Sequence, residues 1–169
     1  MSQTVSASLL GNVNGGWQTD MGGGAIYNNN VYTSENGDKQ TENYLEYTPN
    51  SEARPVVVNG ESIYGTRTIS SASKYMEDNN LRPLIGINGD FFSTKTGIPM
   101  GYTIIDGEIW SKENGEQNAI GFREDGTAFI DKINIETSLR KGNEEIAIQY
   151  INKWLQKGFH CVNLLDSNF

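Results

Sequence analysis

At 169 residues the chain is long enough to bury one core without staples, and its single cysteine, Cys161, excludes an internal disulfide framework. The 13 basic residues against 21 acidic ones give a formal charge of -8 with no basic cluster, which excludes the Lys/Arg stripe that a nucleic acid requires. No run approaches the ~20 apolar residues of a membrane helix, and the start, MSQTVSASLLGNVNGGW, has neither the basic region nor the apolar region of a signal peptide, so the chain reads as soluble.

Residues 1–43 are rich in Gly, Asn, Ser and Thr, with Gly22-Gly23-Gly24 and Asn28-Asn29-Asn30 as the points of least expected structure. Such a stretch buries little apolar surface, so a loose lead-in or a set of short edge strands is expected, anchored by Trp17, Ile26, Tyr27, Val31 and Tyr32. A second region, 44–169, carries the organised pattern. Asn43 to Thr48 alternates as a strand, and Pro55-Val56-Val57-Val58 reads as another short strand or extended segment.

The stretch GTRTISSASKYMEDNNL predicts a helix over about Ile69 to Asn79. Thr68 or Ser70 caps its start, Asn79-Asn80 ends it, and Ile69, Ala72, Tyr75 and Met76 form the apolar stripe. Arg67 just before it reads either as an anion-binding guanidinium beside the helix N-terminus or, more plainly, as a surface arginine paired with an acid.

Leu84 to Ile87 has the length and flanks of a buried strand, and Asn88-Gly89-Asp90 then sets an amide and a carboxylate at its tip. Polar groups on a rigid element beside the apolar Phe91 and Phe92 suit a binding or catalytic site, although Asn-Gly-Asp is also an ordinary turn and the two aromatics also read as core. After the segment Gly97 to Gly101, TIIDGEIW predicts a hairpin turning at Asp106-Gly107. Asn118 to Ile130 predicts a second, turning at Glu124-Asp125-Gly126. Asp106 and Asp125 are read as turn residues.

The alternation from Ile133 to Leu139, the turn at Lys141-Gly142-Asn143 and the run Ile146 to Ile151 predict a third hairpin, and Cys161 to Leu165 a last strand. His160, the only histidine, has no ligand spacing around it, so no metal site is expected, and it reads as a strand-edge residue. The composite predicts an α+β fold, a strand-rich mixed or antiparallel sheet built from successive hairpins with one main helix packed on it.

Three blocks in this order, GTRTISSASKYME, LIGINGDFFSTKTGIPMGYTIIDGEI and QNAIGFREDGTAFI, resemble the bacterial phosphodiester glycosidase family over about Tyr44 to Phe169. Its members are relatives of the lysosomal uncovering enzyme, the N-acetylglucosamine-1-phosphodiester alpha-N-acetylglucosaminidase. The resemblance implies hydrolysis of a sugar 1-phosphodiester in envelope or exopolysaccharide glycans, outside the cytoplasm. It implies Asp90 and Asn88 as the catalytic pair of candidates, with Arg67, Asn118, Phe91, Phe92 and Gly101 as the substrate-binding set. Some family members carry glycine at the position of Asp90, which shifts weight toward Asn88.

The family's later Asn-Leu-Asp and glycine-rich motif is missing, and Asn163-Leu164-Leu165-Asp166 echoes it without the glycines. The resemblance therefore implies the N-terminal portion of an incomplete domain, inactive alone. It names no cofactor and leaves open whether a cation takes part. The alternative reading is a non-catalytic carbohydrate-binding or cell-envelope module.

Overall fold

A computed structural model describes residues 10–155, 158 and 160–169. They form two compact units: one holds the chain up to Arg54 together with Glu124–Gly126, the other Pro55–Arg123 and Thr127–Phe169. The expected limit between residues 43 and 44 falls inside a strand.

In the first unit β1 (Asn12–Gly22), β2 (Ala25–Thr33) and β3 (Lys39–Tyr47) make an antiparallel three-stranded sheet in sequence order. Where the sequence suggested a loose lead-in or a set of short edge strands, strands do form, and they are long and paired into one sheet. Gly22, Gly23 and Gly24 all have positive φ, and this run of left-handed backbone reverses the chain between β1 and β2. Asn28, Asn29 and Asn30 lie mid-strand in β2. Their low strand propensity is overridden by cross-strand amide bonds to Glu46 (3.4 Å), Asn43 (2.8 Å) and Glu42 (3.3 Å).

The second unit holds α1 (Ile69–Asp78) and four two-stranded sheets. Thr68 caps α1, its Oγ1 accepting from the Ser71 N–H at 3.1 Å, and Asn80 in the left-handed region follows the C-cap Asn79. Ala72, Tyr75 and Met76 are half-buried while Lys74 and Glu77 are exposed, so the sheltered side of the helix is the apolar stripe. Ile69 is 50% exposed, and no residue of α1 is fully buried.

The hairpins form β4 (Thr103–Ile105) with β5 (Glu108–Ser111), β6 (Gln117–Phe122) with β7 (Ala128–Ile133), and β8 (Thr137–Lys141) with β9 (Glu144–Ile148). Asp106 and Gly107 both have positive φ, as a two-residue turn matched to strand twist requires. The last pair, β10 (Tyr150–Ile151) and β11 (Asn163–Leu164), is parallel and two residues long, shorter than the strand expected over Cys161 to Leu165. His160 is exposed and lies outside any strand.

The described residues are therefore mostly β with one short helix, and the expected single sheet beneath that helix is replaced by separate hairpin sheets. The physical reason lies in pairing. Pro55–Val58 and Leu84–Ile87 have no ladder partner among the described residues and run as irregular chain, with Ile87 77% exposed. Without a central strand there, no ladder unites the hairpins. Among the described residues the buried apolar side chains of this unit are Ile63, Ile98, Ile148 and Ile151, and the buried polar residues Thr103, Ser111, Lys112, Asn152 and Lys153 share the same interior.

Asn152 is the hub of that interior. It is fully buried with φ 52°; its Nδ2 donates to Trp110 O (2.9 Å) and Asp166 Oδ1 (2.7 Å), and its Oδ1 accepts from Asp166 N (3.0 Å). One amide thus ties β5, the end of β10 and the segment after β11.

Candidate functional site

The loop after Asn88 is closed by its own backbone. Ser93 N–H donates to Ile98 O (2.9 Å), Met100 N–H donates to Phe91 O (2.8 Å), and Phe92 bridges Pro99. Gly97 with φ 78° lets the loop pass Gly65, because a Cβ there would sit 2.1 Å from the Gly65 carbonyl oxygen. The Asp90 Oδ1 accepts the Phe91 N–H at 2.7 Å, which fixes the carboxylate over the loop. Its Oδ2 lies 3.4 Å from where a Gly101 side chain would begin, so Gly101 gives this carboxylate room.

These residues form one wall of a cleft of ≈ 500 Å³, lined by Asp90, Phe91, Met100, Gly101, Glu113, Gln117 and Asn118. Strand β6 supplies Gln117 and Asn118, and the turn after β5 supplies Glu113. The loop after Asn88, the turn after β5 and the start of β6 therefore meet at one concave surface.

Beside the cleft lies Lys153. Its side chain is 6% exposed, its Nζ donates to Pro99 O (2.6 Å) and Gly101 O (2.7 Å), and Glu113 Oε2 is 3.8 Å away. Asn163 clamps its backbone, donating to Lys153 O at 2.7 Å. Burial lowers the Lys153 ammonium to about 8, against the upward pull of the Glu113 and Asp90 carboxylates. The arrangement sets one buried cation near two carboxylates, an amide and an exposed aromatic ring, Phe91 at 84%.

Of the residues singled out in sequence, Asp90, Phe91, Gly101 and Asn118 share this cleft. Asn88 is exposed and outside the lining, and Phe92 faces Pro99. Arg67 is directed elsewhere: its Nε donates to Asn59 O (3.0 Å) and packs against Gly60, whose missing Cβ makes the space. Sequence reasoning passed over Glu113 and Lys153. Glu113 stood in a polar loop and Lys153 in a connecting stretch, and only the fold brings them beneath Gly101. A lysine placed between apolar Ile151 and Trp154 was the one signal of burial.

Among the described residues no group of three or more His, Cys, Asp and Glu side chains is placed to hold a metal ion. No described helix is long and apolar enough to cross a membrane. Comparison of the chain with family models, with curated proteins and with solved structures gives no match. The phosphodiester glycosidase resemblance thus stands on its motifs alone.

Proposed function

We propose that the cleft takes a sugar 1-phosphodiester of the N-acetylglucosamine type, from envelope or exopolysaccharide glycans handled outside the cytoplasm, and belongs to a phosphodiester glycosidase. The observation that supports this reading most is the meeting of Asp90, Gly101 and Asn118 at one cleft with the Lys153 ammonium beside it. The reaction breaks the bond between the anomeric carbon and the phosphate oxygen. Water supplies the hydroxyl to the sugar, and the phosphate leaves as a monoester.

Each residue then has a chemical task. Asp90 acts at the anomeric centre as acid/base or nucleophile, and Glu113 supplies the second carboxylate that glycoside hydrolysis ordinarily uses. Asn118 presents an amide to the sugar hydroxyls, Phe91 walls one side, and the positive charge of Lys153 favours the phosphodiester anion.

The test is release of free N-acetylglucosamine from its synthetic methyl 1-phosphodiester, followed by mass spectrometry. Asp90→Asn lowers kcat by about 100-fold if Asp90 moves a proton or attacks carbon, whereas a change confined to KM makes it a binding residue. Saturable binding of the diester with no sugar release from the wild-type chain would favour the non-catalytic carbohydrate-binding module.

A further inference from the structure

The two faces of the first unit's sheet differ in chemistry. Pairing sets Trp17 opposite Asn29 opposite Asn43, Thr19 opposite Tyr27 opposite Leu45, and Gly15 opposite Val31 opposite Thr41. Because side chains alternate along a strand, these nine positions share one face, and none is charged. The other face carries Asp20, Glu42 and Glu46, and these glutamates hold its asparagines: Asn28 and Asn30 donate to Glu46 and Glu42, and Tyr32 donates to Glu42 at 2.7 Å. In a chain of charge -8, an uncharged block of this kind repels no neutral ligand and attracts no cation or anion.

The uncharged face is built. The Trp17 ring meets Tyr27 edge to face at 5.1 Å and 77°, and Trp17 is 52% exposed. The Asn43 Oδ1 accepts from both Tyr27 OH (2.9 Å) and Asn29 Nδ2 (2.8 Å). Those two bonds fix the orientation of both amides. They direct the remaining groups outward: the Asn43 Nδ2 donors and the Asn29 Oδ1 acceptor have no partner among the described residues, and neither has the Trp17 indole N–H. A flat apolar ring beside an oriented donor and acceptor is the complement of a pyranose, whose C–H face is apolar and whose rim carries hydroxyls.

Size separates a sugar from a protein partner. On this face the next rows are Thr33 with Lys39 and Ala25 with Tyr47; the charge of Lys39 ends the uncharged block on one side and Tyr47, tied to Ala53 O at 2.7 Å, ends it on the other, so three strands at ~4.8 Å spacing and five residues at ~3.4 Å leave a block of roughly 10 by 14 Å. That is well below the ~800 Å² per partner of a stable protein interface, and it matches two or three sugar rings. We propose that this face, centred on Trp17, Tyr27, Asn29 and Asn43, is a binding site for an uncharged glycan, distinct from the cleft of the second unit.

The experiment titrates the full chain with chitotetraose, cellotetraose and maltotetraose, following the Trp17 indole N–H and the Asn29 and Asn43 side-chain amides by NMR. At least one of the three perturbs these signals saturably, and 1 M sodium chloride leaves the affinity within about twofold because no ion pair is involved. Trp17→Ala and Asn43→Ala each weaken binding about tenfold or more, Trp17→Phe retains most of it, and Glu46→Gln on the opposite face changes it less than twofold. Native strand signals in each variant separate lost binding from lost folding. Absence of perturbation by all three sugars at about 10 mM overturns the proposal. So do perturbations centred on Asp20, Glu42 and Glu46, or Trp17 shifts that depend on protein concentration without sugar, which would make the face a contact between copies of the chain.

Discussion

Lys153 Nζ and Glu113 Oε2 stand 3.8 Å apart beside the cleft, too far for a full hydrogen bond and close enough for strong electrostatic coupling. The ammonium spends its close hydrogen bonds on the carbonyls of Pro99 and Gly101, so the carboxylate acts on it mainly through charge.

The first prediction follows from that coupling. Glu113 and Asp90 both raise the Lys153 pKa, Glu113 the more strongly. Glu113→Gln therefore moves it below about 8, and Asp90→Asn moves it in the same direction by less. Nitrogen-15 NMR of the Lys153 Nζ across the alkaline range measures both shifts, and an unchanged titration in both variants would separate the lysine from the cleft.

A second prediction concerns stability and pH. The folded-state value of about 8 lies below the ordinary 10.5, so between these two pH values the unfolded chain binds more protons and folding gains stability as pH rises. Lys112, buried with its Nζ on Ile148 O (3.1 Å) and Gln149 O (2.9 Å), is lowered by burial in the same direction. Comparison with Lys153→Met isolates one lysine. The wild type gains on the variant by on the order of 1–2 kcal/mol between pH 8 and about 9.5, read from urea midpoints. A constant difference across that window contradicts the assignment.

Asn152→Ala removes three hydrogen bonds from a fully buried site and leaves an alanine at φ 52°. The expected loss is roughly 3–4 kcal/mol in urea unfolding, because buried acceptors are left unpaired and the backbone is strained. Asn152→Gly keeps the backbone relaxed and recovers part of that loss.

Thr68→Ala removes the acceptor of the Ser71 N–H and costs about 1 kcal/mol, whereas Thr68→Ser is nearly neutral. Far-UV circular dichroism and amide exchange at Ser71 report the fraying of α1.

Local signals were the legible ones. Thr68 marks the helix start because a side-chain oxygen satisfies a free N–H, and Asp-Gly marks a hairpin because only a few residues accept positive φ at both turn positions. Both rules need no knowledge of the rest of the chain. The run Leu84 to Ile87 misled, since an apolar run becomes a strand only when a neighbour supplies the ladder, and none of the described residues does. Asn28 to Asn30 misled in the opposite sense, as their amides find Glu46, Asn43 and Glu42 on a strand more than ten residues away. In the cleft, the motif blocks carrying Asp90, Gly101 and Asn118 were visible as sequence, while Lys153 acquires meaning only through its bonds to Gly101 and Pro99, 52 and 54 residues away, and Glu113 only through its approach to Lys153.

The most direct measurement of the central claim is an amide chemical-shift map of the chain titrated with the methyl 1-phosphodiester of N-acetylglucosamine, at about pH 6.5 and again at about pH 9.5. Saturable perturbations at Asp90, Phe91, Gly101, Gln117 and Asn118 are expected, with weaker binding at the higher pH as Lys153 loses its charge around 8. Perturbations absent from those five residues, or equal affinity at both pH values, would contradict that claim.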